Sequence, residues 1–134
     1  MPRPTRIALV LLSFLALAGC GNKNVQFGGK VTLPDDTPFT RGFVCFTNGT
    51  IAAYGPLQAD GSYAMGSLKP GDGLPPGTYQ VYLSGFQEVI SPEDAEVTVY
   101  RSPIDMKYDS PDTSGLACEV VKGGRYDFVV EPFK

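Results

Sequence analysis

The side chains of this chain that could do chemistry are few: it has three cysteines, Cys20, Cys45 and Cys118, and no histidine. A thiol can accept a covalent group, act as a nucleophile or form a disulfide. The lack of histidine excludes imidazole base catalysis and histidine-ligated metals. What each cysteine does therefore depends on the segment that carries it.

Cys20 follows a segment with the composition of an export signal. Arg3 and Arg6 make its start basic, and residues 7–19 are uncharged and mostly apolar. That apolar run is too short to span a bilayer comfortably. A basic start, a short apolar run and small residues at the exit predict a cleaved signal peptide over residues 1–19.

The exit itself, Leu17-Ala18-Gly19-Cys20, resembles the bacterial lipobox, in which an aliphatic residue and two small residues precede a cysteine. The resemblance implies that Cys20 receives a diacylglyceryl group, that the chain is cleaved before it, and that its new amino group takes a fatty acyl chain such as palmitate. The alternative is an ordinary cleaved signal followed by an unmodified cysteine.

Residues 20–24 would then form the lipidated cysteine and a short polar tether to one domain over residues 25–134. Two or three acyl chains hold a protein on a membrane almost permanently, because each buried CH₂ contributes roughly 0.8 kcal/mol. A tether of about four residues reaches ~14 Å at most. The second residue of the mature chain is Gly21, not the aspartate that retains some lipoproteins at the inner membrane, which favours the outer membrane of the cell envelope.

The charge balance disfavours two classes of partner. The full chain has a net charge of −3, and removal of Arg3 and Arg6 leaves 9 Lys and Arg against 14 Asp and Glu. Nucleic-acid binding depends on cationic side chains that neutralise phosphates, and docking on anionic lipid needs them too. The expected partners are the membrane, through the lipid anchor, and an unknown protein or glycan.

Turn residues divide the rest of the chain into short strands. The clearest strand follows Pro76-Gly77, where Tyr79, Val81 and Leu83 alternate with polar residues. Asn48-Gly49 is a hairpin signal between two apolar runs. The predicted strands lie within residues 25–33, 42–46, 51–57, 62–65, 78–83, 96–100, 116–121 and 126–130. Seven or eight strands without a long helix predict an all-β antiparallel sandwich.

Four of these stretches carry a resemblance to a carboxypeptidase regulatory-like domain, and the resemblance extends over nearly all of residues 25–134. They are Val31-Thr32-Leu33, Gly42 to Phe46, Asp60-Gly61-Ser62-Tyr63 and Pro76 to Val81. The resemblance implies a transthyretin-like, Greek-key sandwich. The tail from Lys107 to Val120 is similar to small lipoproteins of planctomycete-like bacteria. The family supplies no catalytic residues to transfer.

Cys45 and Cys118 could form a disulfide in an exported domain. The alternation argues for two separate thiols, because Cys45 would face away from Val44 and Phe46 whereas Cys118 shares its face with Leu116. Both outcomes remain open from the sequence.

The remaining candidates are carboxylates and aromatic rings. The acidic groups are too sparse for a calcium loop, so we expect no metal and no cofactor, and turn capping explains them. Hydrolysis by a carboxylate pair is the enzymatic alternative, but we expect no enzyme. Outward rings could grip a glycan or a protein; the candidates are Tyr54, Tyr82, Phe86 and Tyr100. The hypotheses are therefore a structural or protein-binding module and, as the alternative, a carbohydrate-binding module.

Overall fold

A computed structural model describes residues 24–69 and 71–134, and in these residues the chain forms nine short strands and one 3₁₀ helix. The strands are β1 (Gly28–Thr32), β2 (Phe43–Thr47), β3 (Ala52–Pro56), β4 (Ser62–Ala64), β5 (Gly77–Ser84), β6 (Glu88–Val89), β7 (Tyr100–Arg101), β8 (Leu116–Val120) and β9 (Phe128–Val129). The 3₁₀ helix is Met106–Asp109. The signal peptide predicted over residues 1–19 lies outside the described residues.

The strands form an all-β sandwich, as the sequence predicts. One sheet has the order β3-β2-β5-β8 and is antiparallel throughout. The other has the order β4-β1-β9. Its β1–β9 pair is parallel, with Val31 opposite Phe128, so the sandwich is not purely antiparallel. A separate two-stranded ribbon joins β6 and β7.

The core lies between the two main sheets. Tyr79, Val81 and Leu83 of β5 are all buried, so the predicted alternation of this strand is confirmed. Phe46 of β2 is fully buried, and its ring lies close to three other aromatic rings of the core. Its ring centroid is 5.9 Å from that of Phe27, 6.0 Å from that of Tyr79 and 6.4 Å from that of Tyr63. Aromatic packing of this kind contributes beyond the area it buries.

The Asn48-Gly49 signal correctly marks the turn between β2 and β3. The Asn48 side-chain oxygen accepts hydrogen bonds from the backbone N–H of Thr50 at 2.9 Å and of Ile51 at 2.7 Å. Gly49 has φ +90°, a left-handed conformation that costs a residue with a Cβ about 1–2 kcal/mol. Five residue pairs then join β2 to β3.

The long loop before β8 is packed onto the sandwich. The Tyr108 ring lies in the core, and its hydroxyl accepts a hydrogen bond from the Glu131 N–H at 3.0 Å. Thr113 Oγ1 donates to the Lys107 carbonyl at 2.7 Å, and the buried Ser114 hydroxyl donates to the Val81 carbonyl. Hydroxyls of this irregular segment thus satisfy backbone carbonyls of the loop and of β5.

The segment after β5 differs from the prediction in one predicted strand and one strand that was not predicted. The strand expected over residues 96–100 begins only at Tyr100, and the short β6 that pairs with it was not predicted. Between β6 and β7 the chain makes a turn closed by a hydrogen bond from the Ala95 N–H to the Pro92 carbonyl. The ribbon is therefore shorter than the apolar pattern suggested.

Candidate functional site

The first candidate site is the predicted lipid attachment at Cys20. Leu17, Ala18, Gly19 and Cys20 lie outside the described residues. Over residues 24–69 and 71–134, no helix has the length and hydropathy needed to cross a bilayer.

The described part of the chain is bonded to the domain from its first residue. The Asn24 side-chain amide donates to Ser67 Oγ at 3.1 Å and to the Gly73 carbonyl at 3.3 Å. The backbones of Val25 and Leu74 exchange hydrogen bonds of 2.9 and 3.2 Å. Because Asn24 is only four positions after Cys20 in the sequence, a lipid on Cys20 would hold this end of the sandwich close to the membrane.

The N-terminal segment also borders the turn that follows β8. Gly77, the first residue of β5, pairs with Val120, the last residue of β8. An open cavity of about 510 Å³ lies between residues 24–26 and the turn at Lys122 and Gly123 that follows β8. The N-terminal segment and the β8–β9 turn thus form one surface.

The two remaining cysteines carry free thiols and lie on opposite faces of the same sheet. Cys118 packs against the core beside Leu116. Cys45 lies on the outer face, and its sulfur is 3.3 Å from the Ser84 hydroxyl. The sheet itself separates the two thiols, so the possible disulfide between Cys45 and Cys118 is not formed.

Both thiols are poor nucleophiles at neutral pH. Burial raises the pKa of Cys45 above its ordinary value. Burial and, second, the nearby Glu119 carboxylate raise the pKa of Cys118 to about 11. A thiol attacks as the thiolate, so neither environment activates its sulfur. Although Cys45 points away from the core, as the alternation predicts, only 1% of it is exposed.

Tyr54 and Tyr82 lie in one row across the outer face of the four-stranded sheet. Each is directly opposite Cys45, Tyr54 on β3 and Tyr82 on β5. Two strand spacings separate them, which places their backbones roughly 10 Å apart. Tyr54 is 48% exposed and Tyr82 is half-buried. The row provides a flat aromatic surface of the kind that can contact an apolar face of a ligand.

Phe43 extends this surface at the end of the sheet. It is 45% exposed and lines a cavity of about 230 Å³ together with Tyr54, Pro56 and Leu68. Sequence reasoning did not single out Phe43, although β2 is apolar at consecutive positions and its inward residues, Val44 and Phe46, leave Phe43 on the outer face. That alternation was the signal that could have identified it.

The other two aromatic candidates do not belong to this surface. Phe86 is fully buried in the core, so its expected place on the outer surface was wrong. It follows Gly85, whose φ of +68° redirects the chain after β5. Tyr100 is exposed, but it lies on β7 in the separate ribbon. The structure therefore brings together Tyr54 and Tyr82 and leaves Tyr100 apart from them.

Several aspartates of the described chain hold turns through their carboxylates. Asp35 accepts from the Thr37 N–H, and Asp60 accepts from the hydroxyl and the N–H of Ser62. The side chain of Thr37 and, second, its N–H lower the pKa of Asp35. The side chain of Ser62 and, second, its N–H lower the pKa of Asp60.

Asp72 does the same for the loop after β4. It accepts from the N–H groups of Ser67, Leu68 and Lys69 at 2.7–3.2 Å. Partial desolvation opposes ionisation, but the three donors together lower the pKa of Asp72. Within residues 24–69 and 71–134, no group of three or more acidic or cysteine side chains is placed to hold a metal ion.

Comparisons of the chain with known protein families, with curated proteins and with solved structures find no match.

Proposed function

We propose that this chain is a bacterial cell-envelope lipoprotein, anchored through a lipid on Cys20, whose sandwich acts as a non-enzymatic structural or protein-binding module. The observation that carries the proposal is the position of Cys20. It ends an uncharged apolar run with the order Leu17-Ala18-Gly19-Cys20. It also lies only four positions before Asn24, the first described residue, which is bonded to the domain. Export, acylation and folding can then each use a separate part of the chain.

The chemistry of the described side chains supports a binding rather than a catalytic role. The thiols of Cys45 and Cys118 have raised pKa values, and Asp35, Asp60 and Asp72 are occupied in turns. The described surface also exposes large apolar side chains, among them Phe43, Tyr54 and Tyr100. In this proposal the sandwich is a carboxypeptidase regulatory-like domain, held near the outer membrane.

Acylation is tested by metabolic labelling with radioactive palmitate in the native bacterium. The wild-type chain and the Cys45→Ser and Cys118→Ser variants should carry the label and sediment with membranes. The Cys20→Ser variant should lose the label and move to the soluble fraction, because the described domain has a net negative charge and no other anchor is proposed. A Cys20→Ser chain that stays with the membranes would overturn the anchor.

A second candidate function is carbohydrate binding, and the shared row of Tyr54 and Tyr82 favours it. Rings on one flat face can stack on sugar rings. The Tyr54→Ala variant should then lose binding on a glycan array, whereas Tyr100→Ala should not, because Tyr100 lies on a different element. Equal signals from both variants and the wild type would exclude this surface as the glycan site.

A further inference from the structure

The segment from Glu88 to Arg101 forms a hairpin that we call the arm. Glu88 pairs with Arg101 and Val89 with Tyr100, and the Ile90 N–H donates to the Val99 carbonyl at 2.9 Å. The arm is attached at its base. The Glu88 carboxylate lies 2.6 Å from the Arg101 guanidinium and 3.4 Å from that of Arg41.

The arm exposes five large apolar side chains on both of its faces. Val89 and Tyr100 lie on one face, and Ile90 and Val99 lie on the other. The exposed fractions are 71% for Val97, 59% for Val89, 58% for Tyr100, 53% for Ile90 and 46% for Val99. No arm residue belongs to the hydrophobic core. Clustered apolar exposure of this kind marks an interaction surface.

A two-stranded ribbon is marginally stable in water without a further layer. Among the described residues, no third strand pairs with β6 or β7. The apolar side chains therefore have neither a covering layer nor a supporting sheet. A partner that encloses the arm would supply the buried apolar area that the fold does not.

The charge of the arm indicates the chemistry of that partner. Between Val89 and Tyr100 the chain carries Glu93, Asp94 and Glu96 and no lysine or arginine. Two such arms would repel each other, and so would an arm and an anionic lipid surface. A cationic rim around an apolar cleft would complement both the valines and the carboxylates.

The base of the arm lies at one end of the four-stranded sheet. β6 follows the last residue of β5, Ser84, which pairs with Phe43 at the start of β2. The ion pair from Glu88 to Arg41 joins the arm to the segment that enters β2. The arm is therefore attached to the sandwich at its base and belongs to neither main sheet.

We propose that the arm is the docking element for an envelope protein that presents an apolar cleft bordered by lysine and arginine side chains. This rests on the proposed function and specifies where that module binds. Tyr100 and the arm valines would enter the cleft, and the acidic tip would lie against its cationic rim.

The test is site-specific photo-crosslinking in the native bacterium, with the full acylated chain. A benzoylphenylalanine probe replaces Val97 or Tyr100 in the arm and, as matched exposed controls, Tyr54 or Glu119 on the outer face of the sheet. A second set of chains adds Glu93→Gln, Asp94→Asn and Glu96→Gln, which remove charge and keep shape. Mass spectrometry identifies each adduct and the crosslinked peptide.

We expect both arm positions to capture the same protein through a peptide that neighbours lysine or arginine, with neither control position doing so. Neutralising the tip should reduce the adduct at least about tenfold. Any of four results would overturn the arm proposal. They are adducts between two copies of the chain, adducts with lipid alone, no arm adduct, and an adduct insensitive to neutralisation. Capture of a protein only at Tyr54 or Glu119 would overturn the arm and leave the protein-binding function standing. Silence at all four positions would count against both.

Discussion

Two hairpins of equal length are packed differently in this molecule: one contributes to the core and the other does not. The β2–β3 hairpin runs from Phe43 to Pro56 and contributes Val44, Phe46 and Ala53 to the core. The arm runs from Glu88 to Arg101 and contributes nothing to it. Both have β-branched and aromatic residues that suit a strand.

The difference lies in what covers each hairpin. β2 is a central strand with β3 on one side and β5 on the other, and its inner face meets the second sheet. β6 and β7 have only each other among the described strands. Strand propensity therefore does not decide how far a ribbon extends; a covered face does.

The strongest test of this comparison removes one large side chain from each hairpin. Phe46→Ala should lower the free energy of unfolding by about 3–5 kcal/mol, because it leaves a cavity among the core rings. Val99→Ala should change it by less than about 0.5 kcal/mol. Urea unfolding followed by tyrosine fluorescence measures both. Equal losses would mean that the arm is part of the cooperative core.

Serine hydroxyls give a second, smaller contrast. Ser114 is buried and donates to the Val81 carbonyl, so Ser114→Ala should cost about 1–3 kcal/mol by leaving that acceptor without its partner. Ser91 accepts from the Val99 N–H within the arm. Ser91→Ala should alter global stability by less than about 0.5 kcal/mol. The same urea experiment compares them, and a larger effect for Ser91 would contradict the contrast.

The turns of the two hairpins should also differ. A Cβ on Gly49 would meet nothing within 4 Å, so Gly49→Ala tests its left-handed φ alone and should cost about 1–2 kcal/mol. Asp94→Ala at the arm tip should leave the unfolding midpoint unchanged. Thermal unfolding followed by circular dichroism measures the midpoint of each variant. An unchanged midpoint for Gly49→Ala would show that the left-handed φ of this turn does not contribute to the difference between the hairpins.

The smallest expected effect is local and depends on pH. The hydrogen bond from Arg101 lowers the pKa of Glu88 below its usual value. A group with a lowered folded-state pKa stabilises the structure above its unfolded pKa, and that contribution is lost as pH falls through the folded value. Amide protection at Ile90 and Val99 should therefore fall between about pH 5 and pH 3, while that of Val81 should not.

Hydrogen exchange corrected for intrinsic rates measures this release of the arm base. The Glu88→Gln variant serves as the control, because its arm should show the weaker protection already at neutral pH and no further loss on acidification. A wild-type arm with constant protection over this range would show that the Glu88 ion pairs do not hold it.

Much of the sandwich could be predicted from local patterns. Asn48-Gly49 specified its hairpin, and the alternation of Tyr79, Val81 and Leu83 identified the inward face of β5 because the strand period is two residues. These features depend on residues close together in the chain.

What could not be predicted depends on distant contacts. Phe86 was expected outside because no local pattern shows that the chain turns inward after Gly85. Cys45 is on the outer face as expected but is nearly inaccessible, since exposure depends on neighbours from other strands such as Tyr82 and Ser84. The aromatic surface likewise combines Tyr54 and Tyr82, whose relation requires the strand order.

The parallel pairing of β1 with β9 has a consequence for biogenesis. The Tyr126 N–H donates to the Gly28 carbonyl, and the Val130 N–H donates to the Thr32 carbonyl, so the second sheet gains its third strand only from the last residues of the chain. A nascent chain that lacks residues 126–130 lacks that edge and the core side chains of Phe128 and Val130. The second sheet can therefore be completed only after residue 130 has been synthesised, and a nascent chain carries β1 without its β9 partner until then.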